Sequence, residues 1–228
     1  MAALRHAVYW VPAPGPLAAW GAGWLGWDAL AGRPTQRPGL PGLPRPLDRI
    51  TAEPRRYGLH ATLKPPFRLA EGTDEATLAR SIEALAATLA PARSPGLRLR
   101  RIGRFLALVP DGGEEAIGGV AGAAVARLDA FRAPAGEAEL ARRRAAGLSA
   151  EEEANLARWG YPYVMEAFRF HVTLTGPLAE DEAERVEAAL APELADLPLA
   201  PFVLDALAHV VEGEDGMFRV LHRYPLAG

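Results

Sequence analysis

The chain has 228 residues, half of them hydrophobic, with 28 acidic against 25 basic side chains and a formal net charge of −3. That composition supplies apolar area for a sizeable core and argues against a protein that coats long nucleic acid, while leaving room for a local basic pocket that takes a small anion. Cysteine is absent, which excludes disulfides, a thiol nucleophile and any Cys-ligated zinc or iron–sulfur centre.

The first element predicted is a strand over Ala7 to Val11, closed by Pro12. Residues 7–27 are uncharged but are interrupted by three prolines and four glycines, so neither a secretory leader nor a membrane-spanning helix is expected, and a cytoplasmic location is. Helical patterning follows over Leu17 to Leu30. Gly32 to Arg49 then carries five prolines and no hydrophobic periodicity, which reads as a long loop, either a lid or a surface detour. A polar-faced strand around His60 leads into a helix over Asp74 to Ala90 and a strand over Leu97 to Ile102. The order then starts again beyond Gly103: a strand over Phe105 to Val109 closed by Pro110, helices over Ala116 to Phe131 and Glu137 to Trp159, a strand around His171, a helix over Glu180 to Leu190, and a strand over Phe202 to Val211. Ser149 and Glu152 form a capping-box pattern inside the second of those helical stretches. Phe218 to Arg223 adds a hairpin partner across Gly213 to Gly216. The expected fold is α+β: β-α-β-α-β twice, with pseudo-repeats of about 1–103 and 104–228 in a single bilobal domain, and antiparallel sheets with outer helices around a central cleft.

The tetrad His60-Ala61-Thr62-Leu63 recurs as His171-Val172-Thr173-Leu174, and Pro66 and Pro177 each lie six residues past their histidine. In a strand alternate side chains share a face, so each histidine projects beside the threonine two positions on. By the same alternation Lys64 joins the first polar row and Arg169 the second, while Leu59, Ala61, Leu63, Phe170, Val172 and Leu174 take the core side. Two such rows facing each other gather imidazoles, hydroxyls and cations, all hydrogen-bond donors, which suits a phosphate. In-line displacement at phosphorus needs one group to take a proton and another to give one, and two imidazoles can divide those tasks near neutral pH.

This doubled His-x-Thr motif resembles the two-histidine (2H) phosphoesterase superfamily, which includes 2′,5′ RNA ligase-like proteins and cyclic nucleotide phosphodiesterases. Pro54-Arg55-Arg56-Tyr57-Gly58-Leu59-His60-Ala61-Thr62-Leu63-Lys64, Phe131-Arg132-Ala133-Pro134, Trp159-Gly160-Tyr161-Pro162-Tyr163 and Phe168-Arg169-Phe170-His171 resemble its phosphonate-associated branch, the domain of unknown function 1045. The resemblance spans nearly the whole chain. It implies a LigT-like bilobal fold, catalytic roles for His60, Thr62, His171 and Thr173, and a metal-independent phosphodiesterase that opens a small cyclic phosphodiester, such as a ribose cyclic phosphate of phosphonate breakdown. No cofactor, metal, membrane or obligate protein partner is expected.

Two alternatives stand beside it. An RNA-end 2′,3′-cyclic phosphodiesterase or 2′,5′ ligase would use the cluster Arg98, Arg100, Arg101 and Arg104, and a non-catalytic sensor would bind a phosphorylated metabolite without turnover. Lys64, Arg169, Arg132 and Tyr163 are the expected substrate contacts. For Arg169 the competing role is pairing with a carboxylate such as Glu166, for Arg132 capping the preceding helix end, and for Tyr161 and Tyr163 packing beside a proline turn. Arg142-Arg143-Arg144 reads as a solvated helix face, and His6, His209 and His222 as structural.

Overall fold

A computed structural model describes residues 4–145 and 147–228. β1 (His6–Trp10) is buried at every position. Pro16 opens α1 (Pro16–Leu25) in its first turn, where a missing N–H costs nothing, and Gly26 ends it at φ 71°. The helix therefore stops short of the expected Leu30, and the chain turns into β2 (Trp27–Asp28), which pairs with β3 (Arg33–Pro34). Single-turn helices α2 (Leu47–Ile50) and α3 (Ala52–Arg55) precede β4 (Ala61–Phe67). α4 (Glu75–Ala86) is capped by Asp74, whose carboxylate accepts from the Thr77 amide at 2.7 Å. β5 (Ala92–Ser94), β6 (Leu97–Ile102) and β7 (Phe105–Pro110) follow, then α5 (Glu114–Arg127).

The single helix expected over 137–159 is two, α6 (Glu137–Arg144) and α7 (Ala150–Trp159). Gly147, at φ 75°, lies between them, and Ser149 starts α7 with the capping box that its spacing to Glu152 indicates. β8 (Val172–Thr173), α8 (Glu180–Ala195), β9 (Phe202–Leu204), β10 (Ala206–Glu212) and β11 (Phe218–Pro225) complete the chain. Among the described residues no helix is long and apolar enough to cross a membrane.

The architecture is mixed α+β with antiparallel sheets. One sheet has the order β11-β10-β1-β4 and another β6-β7-β8, while β5 pairs with β9. β1 lies between β4, with the first motif, and β10; β7 lies between β8, with the second motif, and β6. The closing strands are thus exchanged: β6 follows the first motif in sequence but pairs beside the second, and β10 does the reverse. Gly103, expected to separate two units, is instead in the turn of the β6–β7 hairpin, where Ile102 faces Phe105. The strand expected over 202–211 is broken at Asp205, because β9 and β10 belong to different sheets. Asp205 fixes that break by accepting from Arg223 at 3.0 Å and from Trp10 Nε1 at 3.3 Å.

Helices and sheets share one large apolar core that includes Leu63, Leu78, Ile82, Leu106, Leu108, Ile117 and Val172, all 1% exposed or less. Each such side chain contributes about 1.5–3 kcal/mol by leaving water. The segment 32–49 is strapped to this body. Arg37 donates to the Trp24 and Leu25 carbonyls at 3.2 and 2.6 Å, closing the end of α1, and Arg45 pairs with Glu182 at 3.0 Å. Leu40 and Leu43 pack against the core.

Inside the first sheet His6 and His209 meet, Nδ1 to Nε2 at 3.0 Å, and His209 is 1% exposed. Burial lowers both imidazoles, His209 to about 4. Below about pH 6.5 the unfolded chain takes up protons that the folded pair refuses, so stability is fully present above that value and is lost as pH falls through it toward 4. The thermal midpoint is expected to drop between pH 7 and 4.5, and His209→Gln to make the drop shallower. Parallel curves for the two proteins would assign the acid sensitivity elsewhere.

Candidate active site

His60 immediately precedes β4, between Leu59 and Ala61, which point into the core. Its Nδ1 bonds the carbonyl of Gly58 at 3.0 Å, and the Nδ1 of His171 bonds the carbonyl of Arg169 at 2.8 Å. In each ring the partner is the backbone two residues earlier. A carbonyl only accepts, so both Nδ1 atoms carry a proton and both Nε2 atoms are left to face a ligand. Gly58 makes its half possible: it sits at φ 71°, and a Cβ there would come within 2.7 Å of the Ala29 methyl.

The two histidines, Thr62 and Thr173 line one open pocket of about 1410 Å³. The Thr62 hydroxyl lies 3.3 Å from His60 Nε2, a long bond that a ligand hydroxyl can replace. Tyr9 and Tyr57 pack on the His60 ring at centroid distances of 4.2 and 5.3 Å, and Phe105 lies 5.9 Å from His171. This packing desolvates His60 and pushes its imidazole down to about 4, with the backbone bond to Gly58 opposing and the charge of His171 assisting. His60 is therefore neutral at pH 7, a proton acceptor. Five arginines and three glutamates also line the pocket, so it is cationic in a chain of net charge −3.

The four expected substrate contacts are placed elsewhere. Lys64 is 2% exposed and points inward, where its Nζ donates to the Val125 carbonyl at 3.1 Å and pairs with Asp129 at 3.6 Å. The cause is the strand register. Tyr9 faces Thr62 but Val8 faces Lys64, so one extra residue of β4 is accommodated at a bulge and the alternation that predicts a shared face is lost. Burial lowers its ammonium to about 8 against the pull of Asp129. Arg169 is exposed and donates to the carbonyls of Glu166 and Phe168 at 2.7 and 2.6 Å, pairing with backbone where a carboxylate was the alternative. Arg132 binds Asp129 at 2.8 Å and donates to the Arg158 carbonyl at 3.2 Å, so it meets the end of α7, a later helix than the preceding one it was expected to cap. Tyr163 is 45% exposed; Tyr161, packed edge-on against it, lines the pocket instead. Residues 32–49 do not line it and are strapped to the body through Arg37 and Arg45. Among the described residues no cluster of His, Asp or Glu could hold a metal ion.

Residues 62–219 match the family described as protein of unknown function (DUF1045). The chain belongs to that family. Two curated relatives are each named ribose 1,5-bisphosphate phosphokinase PhnN. The one from Janthinobacterium sp. (strain Marseille) is 41% identical over 231 residues, covering 98% of this chain and 51% of that protein. The one from Laribacter hongkongensis (strain HLHK9) is 42% identical over 186 residues, covering 78% of this chain and 41% of that protein. The DUF1045 chain thus spans about half the length, or less, of the relatives it matches.

These names correct the expected activity. A phosphokinase transfers a phosphoryl group, so the hydrolytic opening of a cyclic phosphodiester, with its RNA-end and sensor alternatives, is replaced by phosphoryl transfer as the chemistry attached to relatives of this sequence. The DUF1045 part of the resemblance stands.

Several pocket residues were not legible as such. Arg5 precedes β1 with no motif to mark it, and Arg56 and Tyr57 lie in the quoted Pro54–Lys64 stretch but were not singled out. The run at 142–144 was assigned to solvent because Glu139 balances it. Arg143 does pair with Glu139 at 2.6 Å, yet it also covers the Tyr161 ring at 4.5 Å, and both it and Arg142 line the pocket. If Lys64 is structural, Lys64→Ala should cost about 2–4 kcal/mol in urea unfolding through the cavity and lost bonds, while affinity for a sugar phosphate changes less than twofold. Unchanged stability with lost affinity would restore it to the site.

Proposed function

We propose that the pocket binds a phosphorylated ribose and that His60 and His171 serve a phosphoryl-transfer step at that sugar. The observation that carries this is the matched anchoring of the two rings by the backbone carbonyl two residues earlier, which leaves both Nε2 atoms available in one cationic pocket. The names of the relatives supply the sugar and the reaction class. In this reading His60 Nε2 accepts the proton of the acceptor oxygen on the bound ribose phosphate, that oxygen bonds to the terminal phosphorus of a phosphoanhydride donor, and the donor's bridging P–O bond breaks, its electron pair leaving with the departing phosphate. His171, Thr62 and Thr173 donate to the phosphoryl oxygens as negative charge develops on them. The loop Gly-x4-Gly-Lys-Ser/Thr that cradles nucleotide phosphates has no counterpart in these 228 residues, whose one lysine is followed by Pro65.

The likeness to the two-histidine superfamily enters here as a statement about architecture, not about hydrolysis. The strand–motif order β1-β4 and β7-β8, each followed by a helix and a closing strand, supports descent from a duplicated unit within one domain.

Calorimetric titration with ribose 5-phosphate is expected to show binding that weakens at least about tenfold in His60→Ala and in His171→Ala, with melting curves close to that of the parent. Absence of heat at millimolar ligand, or full affinity in both variants, would sink the assignment.

A further inference from the structure

We propose that the pocket contains a second anion subsite, built by Arg5 and Arg56 around Glu212, which takes the second phosphate of a doubly phosphorylated sugar while the first lies at the histidines. This assignment rests on the sugar-phosphate reading above.

Glu212, at the end of β10, is 6% exposed and is gripped by two guanidinium groups. Arg5 holds it through Nε at 2.6 Å and Nη2 at 2.8 Å, and Arg56 through Nη2 at 2.8 Å. Both arginines are fixed at the backbone as well. The Glu212 amide donates to the Arg5 carbonyl at 2.9 Å, and the Phe218 amide donates to that of Arg56 at 2.7 Å. The hydrogen bond from Arg5 holds the Glu212 carboxyl below the usual carboxylate range, so it stays ionised.

One carboxylate therefore faces two permanent cations, and one positive charge is left over. A purely structural pair needs only one arginine, and here the second is positioned with its Nη1 free of any partner among the described residues. The side chains of Arg5 and Arg56 are 31% and 41% exposed, and both line the pocket. Arg68 and Arg142, also lining it, have no acidic partner among the described residues.

The spacing fits a short ligand. The Arg56 guanidinium lies 5.2 Å from the Tyr57 ring, and that ring lies 5.3 Å from His60. The arginine pole is therefore within roughly 10 Å of the imidazole, a gap that a five-carbon sugar esterified at both ends can bridge given ordinary bond lengths. Tyr57 forms the wall between the two poles, against which the sugar can pack.

The test is calorimetry on the full chain with ribose 5-phosphate and ribose 1,5-bisphosphate, in the parent protein, Arg56→Gln and Arg56→Lys, with melting curves for each. The parent is expected to prefer the bisphosphate at least tenfold. Arg56→Gln, which leaves the Arg5–Glu212 pair in place, should bring the ratio within twofold by weakening the bisphosphate only, and Arg56→Lys should keep part of the preference. Phosphorus NMR of the bisphosphate with the parent protein should show both resonances perturbed, which keeps the proposal testable if the glutamine variant does not fold. Equal affinities in the parent, an unchanged ratio in Arg56→Gln, or perturbation of one resonance alone would overturn the second subsite while leaving the first. No binding of either ligand to the parent would overturn the sugar-phosphate reading and this subsite together.

Discussion

β6 and β10 each complete a sheet that the other part of the chain begins, and the placement of both histidine motifs depends on that exchange. Without β10, β1 would have β4 as its one ladder partner; without β6, β7 would have the two-residue β8. Two-stranded ribbons are marginal in water, so the polar edge strands acquire rigid backing because of strands supplied from far away in sequence. The same exchange brings Glu212, the last residue of β10, beside Arg5 at the start of β1. Catalytic candidates and arginine pole are thus set by one topological feature.

Much of this was legible because it rests on local patterns. The strands closed near Pro12 and Pro110, the helix begun near Asp74 and the Ser149–Glu152 box are short-range signals that the structure contains, and the doubled His-x-Thr tetrad lines one pocket. What failed depended on register and on which sheet a strand joins. Alternation put Lys64 beside Thr62, but a bulge opposite Val8 and Tyr9 turned it inward; Pro65-Pro66 marks an irregular edge strand without fixing where the bulge falls. The run over 202–211 is apolar except for Asp205 and His209, and the break at Asp205 becomes visible once β9 and β10 are seen to have different partners. Arg5 illustrates the general difficulty: it becomes a pocket residue through a partner 207 positions away.

The pocket also shows how charge is managed near a group meant to stay neutral. His60 is packed by two tyrosines, one of which, Tyr57, also meets the Arg56 guanidinium, while Glu212 is held by both Arg5 and Arg56. An arginine in direct contact would lower the imidazole by repulsion, and a free carboxylate would raise it. The tyrosine wall does neither and leaves desolvation as the leading influence.

The bond from each imidazole to the carbonyl two residues back gives the site a particular kind of robustness. Many histidines are oriented by a neighbouring carboxylate, so that one substitution changes tautomer, orientation and basicity at once. Here the accepting atom belongs to the main chain at Gly58 and Arg169, and a side-chain replacement cannot remove it, although at Gly58, where a Cβ would meet Ala29, one would displace it. The nitrogen that faces the ligand is fixed by the path of the backbone, whereas its affinity for a proton is fixed by the rings of Tyr9 and Tyr57. Geometry and basicity are therefore separable variables in this pocket, and drift at the aromatic positions can retune the second without disturbing the first.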